Sequence, residues 1–343
     1  MGKRDILSLS YTQLEEEFVS KGMPKYRAQQ VFSWLHQKLA TDFMQMSSLS
    51  IQLREQLDSE FCINRLFIEK KLASTVDNTV KYLYMLPDGN YVETVLMEYR
   101  YGKSLCISTQ VGCRMGCQFC ASTIAGYVRN LTPSEMLLQI YETQRDAGCH
   151  IDSVVLMGIG EPLDNLENVL TFFQILSDPQ GYGLSLRHVT LSTCGLVPQM
   201  KKLADLRLGV TLSVSLHSPN SAKRSQIMPI NRKYPIEEVI KACRYYFQQT
   251  GRRVTIEYAV MDGVNNTRAD AKQLADLLED MHCHVNLIPV NSIAERDYKA
   301  TYTCADQFRR YLSAYGVHVT IRRTLGSDIQ AACGQLRRDA NQK

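Results

Sequence analysis

Three cysteines stand within eight residues, in the segment Cys113-Arg-Met-Gly-Cys117-Gln-Phe-Cys120. Their spacing, three residues and then two, lets three thiolates from one loop converge on a single inorganic centre. Iron–sulfur clusters are bound by cysteine thiolates and normally use four of them, so a loop with three predicts a cluster with one open iron. An open iron can chelate a substrate. A structural zinc site is the alternative, although such sites usually take four ligands from two pairs.

Polar residues follow several predicted strands further along the chain. The segment Met157-Gly-Ile-Gly160-Glu161-Pro ends one strand, where glycines let a backbone edge approach a ligand and Glu161 can accept a hydrogen bond from an amino group. Other polar residues close later strands, namely Ser192, Ser215, His217 and Asn291. Each of these residues could simply cap the end of its strand. Together at the same rim of a barrel, they favour a pocket for a polar cofactor.

Three further residues are candidates for chemistry. Cys106 lies seven residues before Cys113, and Cys333 lies in a Gly-flanked C-terminal loop where a thiol can be mobile and exposed. Glu93 lies within an otherwise apolar strand, and such a carboxylate usually faces solvent unless it points at the cluster. The other cysteines are expected to be small buried apolar side chains, namely Cys62, Cys149, Cys194, Cys243, Cys283 and Cys304.

The elements that must position these residues alternate between strand and helix from about residue 105 onward. Strands are predicted over 105–109, 153–157, 189–193, 211–216, 254–260, 285–289 and 317–322. Helices are predicted to start near Thr132, Asn165, Val197, Pro235, Thr267 and Ala305. Six β-α units predict an α/β fold in which a parallel sheet closes into a partial (β/α)6 barrel. The cysteine loop follows the first strand, at the rim where barrels bind ligands.

The first hundred residues differ in pattern. Residues 1–62 predict a small domain of three helices, which either contacts RNA through its basic residues or only caps the larger domain. Aromatic and β-branched residues alternate over 79–86 and 91–97, on either side of a Pro-Asp-Gly turn, and this predicts a β-hairpin. We therefore expect a helical domain over 1–62, a hairpin linker region over 63–100 and the barrel with its C-terminal cysteine loop over 101–343.

The composition is that of an ordinary globular chain, with 45% hydrophobic and 22% charged residues. No run of about eighteen apolar residues is present, so no membrane-spanning helix is expected. The eleven cysteines are an odd number without a paired framework, and no apolar segment follows the basic start, so the sequence predicts a reducing, cytoplasmic location. The net charge of +4 permits nucleic-acid binding without requiring it.

Longer segments carry a resemblance to a known family. The cysteine loop with Phe119 resembles the cluster loop of radical S-adenosylmethionine (SAM) enzymes. The segments 106–113, 157–163, 215–217, 228–231 and 328–336 look like the RlmN/Cfr family of RNA adenine methyltransferases. The resemblance, which covers nearly the whole chain, implies two SAM molecules per turnover and a 4Fe–4S cluster on Cys113, Cys117 and Cys120. It implies SAM contacts at Gly160, Glu161, Ser192, Ser215, Leu216, His217 and Asn291.

The resemblance also implies a reaction. Carbon 2 of adenine is electron-poor and cannot attack the SAM methyl as an ordinary nucleophile, whereas a thiolate can. Cys333 is expected to accept the methyl group, and a 5′-deoxyadenosyl radical from a second SAM then removes one of its hydrogens. The carbon radical adds to the base, and attack of Cys106 on the sulfur of Cys333 leaves a disulfide. Glu93 matches the family's proton-accepting glutamate, but either Glu93 or Cys106 can take the ring proton.

The implied substrates are an adenosine in the peptidyl-transferase region of 23S rRNA and, for RlmN members, an adenosine beside the tRNA anticodon. A flavodoxin or ferredoxin is the expected electron donor, and a monomer is the expected state. One alternative is Cfr-type methylation of carbon 8, although the residues around the cysteine loop look like the RlmN side. A second is a non-catalytic iron–sulfur protein that binds RNA or senses redox state, which has no use for Cys106 and Cys333.

Overall fold

A ten-stranded sheet organises the computed structural model, which describes residues 3–337. Its strands are adjacent in the order in which they occur along the chain, and they are β1 Phe67–Ala73, β2 Val80–Met85, β3 Tyr91–Tyr99, β4 Gly102–Cys106, β5 Ser153–Leu156, β6 Val189–Thr193, β7 Thr211–Ser215, β8 Val254–Val260, β9 Cys283–Pro289 and β10 Val319–Ile321. Neighbours from β4 to β10 are parallel. The predicted partial barrel is confirmed.

Helices fill every crossover between the parallel strands, as right-handed β-α-β units require. They are α4 Pro133–Ala147, α5 Leu166–Ser177, α6 Val197–Asp205, α7 Ser221–Ile227, α8 Ile236–Thr250, α9 Arg268–Leu277 and α10 Tyr302–Ala314. Helix α4 begins where predicted because Thr132 and Glu135 form a reciprocal capping box. Helix α10 begins three residues earlier than predicted, since the Thr301 side chain accepts from the backbone N–H of Cys304 and caps it. The short α7 was not predicted.

The first three strands of the sheet, β1, β2 and β3, pair antiparallel and precede the barrel; we call these three strands the hairpin extension. The predicted hairpin between β2 and β3 is confirmed, whereas β1 was missed. Strand β3 also pairs antiparallel with β4, so the extension and the barrel share one sheet. The domain boundary at residue 100 stays a prediction. One face of the extension packs on α4, where the hydroxyls of Tyr84 and Thr143 are 2.8 Å apart.

Three helices precede the sheet, as predicted: α1 Tyr11–Ser20, α2 Lys25–His36 and α3 Ile51–Glu60. Ser10 and Ser50 cap α1 and α3 through their side chains. At the end of α2, His36 is fully buried against α4, with its Nδ1 2.9 Å from the hydroxyl of Tyr141. Burial lowers the pKa of His36 to about 3, so its imidazole is neutral. No helix among residues 3–337 is long and apolar enough to cross a membrane.

Residues 1–2, at the start of the predicted helical domain, and residues 338–343, at the end of the predicted barrel domain, lie outside the described residues. Whether the three N-terminal helices contact RNA stays a prediction.

Candidate functional site

A cavity of about 950 Å³, its open mouth included, lies at the carboxyl ends of the parallel strands. We call it the first cavity. It brings together ten of the thirteen predicted site residues, which are Cys113, Cys117, Cys120, Gly160, Glu161, Ser192, Ser215, His217, Asn291 and Cys333. The other three, Glu93, Cys106 and Leu216, do not line it. Strand ends of a parallel sheet meet at one edge, which is why residues far apart in sequence converge here.

The cysteine loop is closed at its base by a short antiparallel bridge between residues 110–111 and 129–130. Gly112 has a φ of +75°, and a Cβ there would lie 1.7 Å from the carbonyl oxygen of Gly126, so only glycine fits this crossing. Within the loop, the Thr123 hydroxyl donates to the carbonyls of Cys117 and Cys120, at 3.2 and 2.9 Å. The loop backbone is therefore fixed by the protein alone.

The three loop thiols are buried or half-buried, and burial is the main cause of their pKa shifts. It raises the pKa of Cys113 to about 12 and that of Cys117 well above its usual range. Thiols that are hard to ionise in dry surroundings become thiolates when a cation binds them. Three such thiols facing one cavity fit the cluster that the sequence predicted. Among residues 3–337, no three His, Cys, Asp or Glu side chains are arranged around a point for one metal ion.

The glycine segment after β5 is shaped by protein contacts. A Cβ at Gly158 would lie 2.6 Å from the carbonyl oxygen of Ile107, and one at Gly160 would lie 2.7 Å from Cβ of Gln110. The segment that leads into the cysteine loop therefore packs against both glycines, which also line the first cavity, and the expectation that they admit a ligand stays a prediction. Glu161 is buried, and its two oxygens accept from the backbone N–H groups of Leu163 and Cys194, at 3.1 and 2.8 Å. Each oxygen keeps acceptor capacity.

His217 is held in an unusual conformation, with a φ of +58°. Its Nδ1 accepts from the backbone N–H of Ala259 at 2.8 Å, so in the neutral ring Nε2 carries the proton. Burial lowers the pKa of His217 to about 3, and the ring meets Phe119 edge-on at 4.8 Å. The side chain of neighbouring Leu216 is fully buried in the core, and Leu216 does not line the first cavity.

Arg224 is a residue that the sequence reasoning missed. Its side chain is fully buried, and it donates to the carbonyls of Cys194 and Leu216 at 2.8 and 3.0 Å and to Oδ1 of Asn231 at 2.9 Å. It therefore fastens the ends of β6 and β7 to the segment after α7. Burial lowers the pKa of Arg224. No pattern in the sequence around Arg224 signals this role, because α7 was not predicted.

A second cavity, of about 520 Å³, adjoins the first, and Cys333 lines both. We call it the second cavity. Cys106 lines it together with Val95 and Met97 of β3. The wall opposite belongs to the C-terminal loop, residues 322–337. Cys106 is thus separated from the cluster thiols but shares a cavity with Cys333. Burial raises the pKa of Cys106 to about 12.

Arg322 also lines both cavities and was missed. The electrostatic interaction with Cys333 is the main cause that raises the pKa of Arg322, and the interaction with Glu257 raises that pKa further.

Glu257 is a buried carboxylate on β8 that lines the first cavity and accepts hydrogen bonds from Ser213 and Asn286. A charged residue inside an apolar barrel strand was an available signal for Glu257, the same signal that marked Glu93.

Glu93 does not face solvent, and it lines neither cavity. Its carboxylate is buried, with Oε1 2.9 Å from the ammonium nitrogen of Lys81. Oε2 accepts from the backbone N–H of Arg337 at 2.7 Å. Burial raises the pKa of Glu93, and Lys81 is the first cause that opposes the shift. The buried partner Lys81 was not predicted, although it too stands in an otherwise apolar strand.

Comparison with known proteins identifies two regions. Residues 107–278 match the model of the radical SAM superfamily, and residues 4–63 match that of the ribosomal RNA large subunit methyltransferase N-terminal domain.

Full-length relatives are similar along nearly the whole chain. A probable dual-specificity RNA methyltransferase RlmN from Alkaliphilus oremlandii is 50% identical over 339 residues, which is 98% of each chain. One from Lachnoclostridium phytofermentans is 49% identical, over 99% of this chain and 96% of that protein. The crystal structure of a radical SAM methyltransferase from Sphaerobacter thermophilus matches with a TM-score of 0.92 and 41% identity, covering 97% of this chain and 99% of that one.

Proposed function

This chain belongs to the RlmN family of radical SAM RNA methyltransferases, and from this premise we propose that it methylates carbon 2 of adenosine by way of Cys333. The observation that carries the proposal is the position of Cys333 at the junction of two cavities. It shares the first with the three loop cysteines and the second with Cys106. Family membership removes the zinc-site and non-catalytic alternatives.

The family's cofactors are a 4Fe–4S cluster and SAM, which when bound together supply a 5′-deoxyadenosyl radical. Cys113, Cys117 and Cys120 would hold the cluster, because they face one cavity from a loop that the protein itself fixes. We propose that the SAM-contacting residues are Gly160, Glu161, Ser192, Ser215, Leu216, His217 and Asn291. Neutral His217 can donate from Nε2, and Glu161 can accept from an amino group through its remaining lone pairs. The cavity walls exclude water from a reactive radical.

Cys333 is the proposed methyl carrier. Arg322 lines both cavities together with Cys333, and a thiolate is the form of a cysteine that attacks the SAM methyl. Asn291 donates from Nδ2 to the Cys333 carbonyl at 3.0 Å, so the residue that carries the methyl group is tied to the end of β9. This contact orients Cys333 toward the first cavity, where a hydrogen is removed from the bound methyl.

Cys106 is the proposed resolving thiol. After the carbon radical has bonded to the base, the adduct must lose the ring proton and one electron, for which the family's cluster would be the acceptor. The Cys106 thiolate sulfur then bonds to the Cys333 sulfur, the bond between the Cys333 sulfur and the carbon breaks, and that carbon takes the electron pair and a proton to become the methyl group. Burial opposes the ionisation of Cys106, and Arg322 favours it. Between Glu93 and Cys106, the second cavity favours Cys106 as the group that takes the ring proton, since Glu93 is engaged by Lys81 and Arg337.

The proposed substrates are the adenosine in the peptidyl-transferase region of 23S rRNA and the adenosine beside the tRNA anticodon. The printed names of the relatives, which call them dual-specificity RNA methyltransferases, support two RNA classes. Bases in such loops can be unstacked and turned into a pocket. We further propose a cytoplasmic monomer that receives electrons from a flavodoxin or ferredoxin.

The test is anaerobic reconstitution with iron and sulfide, followed by SAM, reductant and an rRNA fragment, and then nucleoside analysis by mass spectrometry. We expect 2-methyladenosine from the wild type and none from Cys333→Ala, because the variant lacks the methyl acceptor. Cys304→Ala is the matched control, since that thiol lies outside both cavities, and it should keep activity. Formation of 8-methyladenosine alone contradicts the choice of carbon 2, and normal turnover by Cys333→Ala contradicts the two-cysteine mechanism.

A further inference from the structure

The C-terminal loop is the part of the site with the least secondary structure of its own. It has only a short helical turn at Ser327–Ile329, yet it must place Cys333 between two cavities. Its backbone is attached to the cysteine-loop region by two bonds: Ala121 N–H donates to the Gly334 carbonyl, and the Ser122 hydroxyl donates to the Leu336 carbonyl, both at 2.8 Å. The opposite side of the loop faces the hairpin extension.

The contacts on that side centre on the buried ion pair of Lys81 and Glu93. Lys81 is on β2 and Glu93 on β3, diagonally across the antiparallel ladder on the same face of the sheet. Only 5% of the Lys81 side chain and 7% of the Glu93 side chain are exposed. Each partner makes a second bond to the loop: Lys81 Nζ donates to the Gln330 carbonyl at 3.2 Å, and Glu93 accepts from the Arg337 N–H at 2.7 Å.

These two bonds bracket Cys333, one three residues before it and one four residues after it. We propose that the Lys81–Glu93 pair anchors the segment 330–337 and so holds Cys333 against both cavities, which makes Glu93 a positioning residue. The proposal rests on the proposed function, because it assumes that the position of Cys333 matters for methyl transfer. It also gives the hairpin extension a role that its sequence pattern did not indicate.

A buried ion pair suits this role for an electrostatic reason. Removing one partner leaves the other as an uncompensated buried charge, so the pair holds both backbone bonds in one arrangement. An outer contact acts in the same direction: Asp328 accepts from the Ser74 hydroxyl at 2.7 Å and from the Thr75 N–H at 2.8 Å. Asp328 is exposed, however, and water competes for its bonds. The buried pair is therefore the anchor, and the exposed contact is secondary.

The test measures the position of Cys333 directly. In reconstituted protein, the rate at which iodoacetamide alkylates Cys333 is followed by mass spectrometry of its peptide, and SAM cleavage and nucleoside methylation are measured in parallel. We expect Lys81→Met to raise the alkylation rate about tenfold, since local opening exposes the thiol. We also expect it to raise the ratio of 5′-deoxyadenosine to methylated adenosine. Lys71→Met is the matched control, because Lys71 pairs with Asp146 on the other face of the same extension.

Two further variants keep the test decisive. Glu93→Gln retains an acceptor for the Arg337 N–H, so its effect should be smaller than that of Lys81→Met. The double variant Lys81→Met/Glu93→Gln removes both charges, and its alkylation rate should fall between those of the two single variants. If Lys81→Met alone is too unstable to fold, the double variant takes its place in the comparison with Lys71→Met. Equal alkylation rates in Lys81→Met and Lys71→Met overturn the anchor. So does a Glu93→Gln variant that loses methylation while Cys333 keeps its wild-type alkylation rate, because Glu93 then acts on the substrate. Failure of the proposed function is distinct, since it appears as wild-type protein that makes no 2-methyladenosine.

Discussion

The two cavities that meet at Cys333 are built in different ways. The first lies at the ends of parallel strands, and its residues come from short local segments such as the cysteine loop and the Gly160-Glu161 turn. The second is enclosed by β3, β4 and the C-terminal loop, and it brings Cys106 next to Cys333 without any of the three loop thiols. Under the proposed function, the first cavity would hold the cofactors that make the radical, and the second would hold the thiol that resolves the product.

The largest effect is expected in the first cavity. Cys113→Ala should reduce bound iron and sulfide to background and abolish SAM cleavage, because a three-thiol loop has no spare ligand. Iron and sulfide analysis of the reconstituted protein checks this. Cys243→Ala, which alters a buried thiol on α8 outside both cavities, should retain wild-type iron. A Cys113→Ala protein with full iron content would show that the cluster is held elsewhere.

A change confined to the second cavity should leave the first intact. Cys106→Ala should retain iron and cleave SAM, but the base should stay bonded to Cys333 through the methyl carbon, because no thiolate displaces it. A covalent protein–RNA species on a denaturing gel, mapped to Cys333 by mass spectrometry, is the expected result. Cys283→Ala should give no such species. Release of methylated nucleoside by Cys106→Ala at the wild-type rate would remove Cys106 from the mechanism.

The smallest effect is expected from a change of Arg322, whose positively charged side chain lines both cavities. Burial raises the pKa of Cys106 to about 12, and Arg322 opposes that rise. Below this pKa, the thiolate fraction grows about tenfold per pH unit, so product release in a single turnover should accelerate from pH 7 to pH 9. Arg322→Met raises the pKa of Cys106 further and should slow release by about tenfold at each pH. Arg310→Met, at an exposed position on α10, should follow the wild-type profile, and an unchanged profile in Arg322→Met would contradict this role.

Sequence reasoning predicted positions best where position depends on local spacing. The cysteine loop, the strand-end residues Ser192 and Ser215, and the capped start of α4 follow from patterns within a few residues, and the parallel topology brings such strand ends to one rim. It succeeded least where a side chain acts across the fold. Arg224 joins the ends of two strands, and Lys81 pairs with Glu93 across a ladder, and neither partner can be read from neighbouring residues.

By itself, the sequence determined the order of the elements, the barrel class and the set of thiols available for chemistry, because periodicity, capping and ligand spacing are local properties. The tertiary structure alone decided which thiols share a cavity. It placed Cys106 beside Cys333 in the second cavity, apart from the three loop thiols, and it turned Glu93 toward Lys81 and the C-terminal loop. The physical reason is burial: an ion pair or a thiol acquires its partner and its pKa only when the sheet, the loop and the barrel exclude water from the same space.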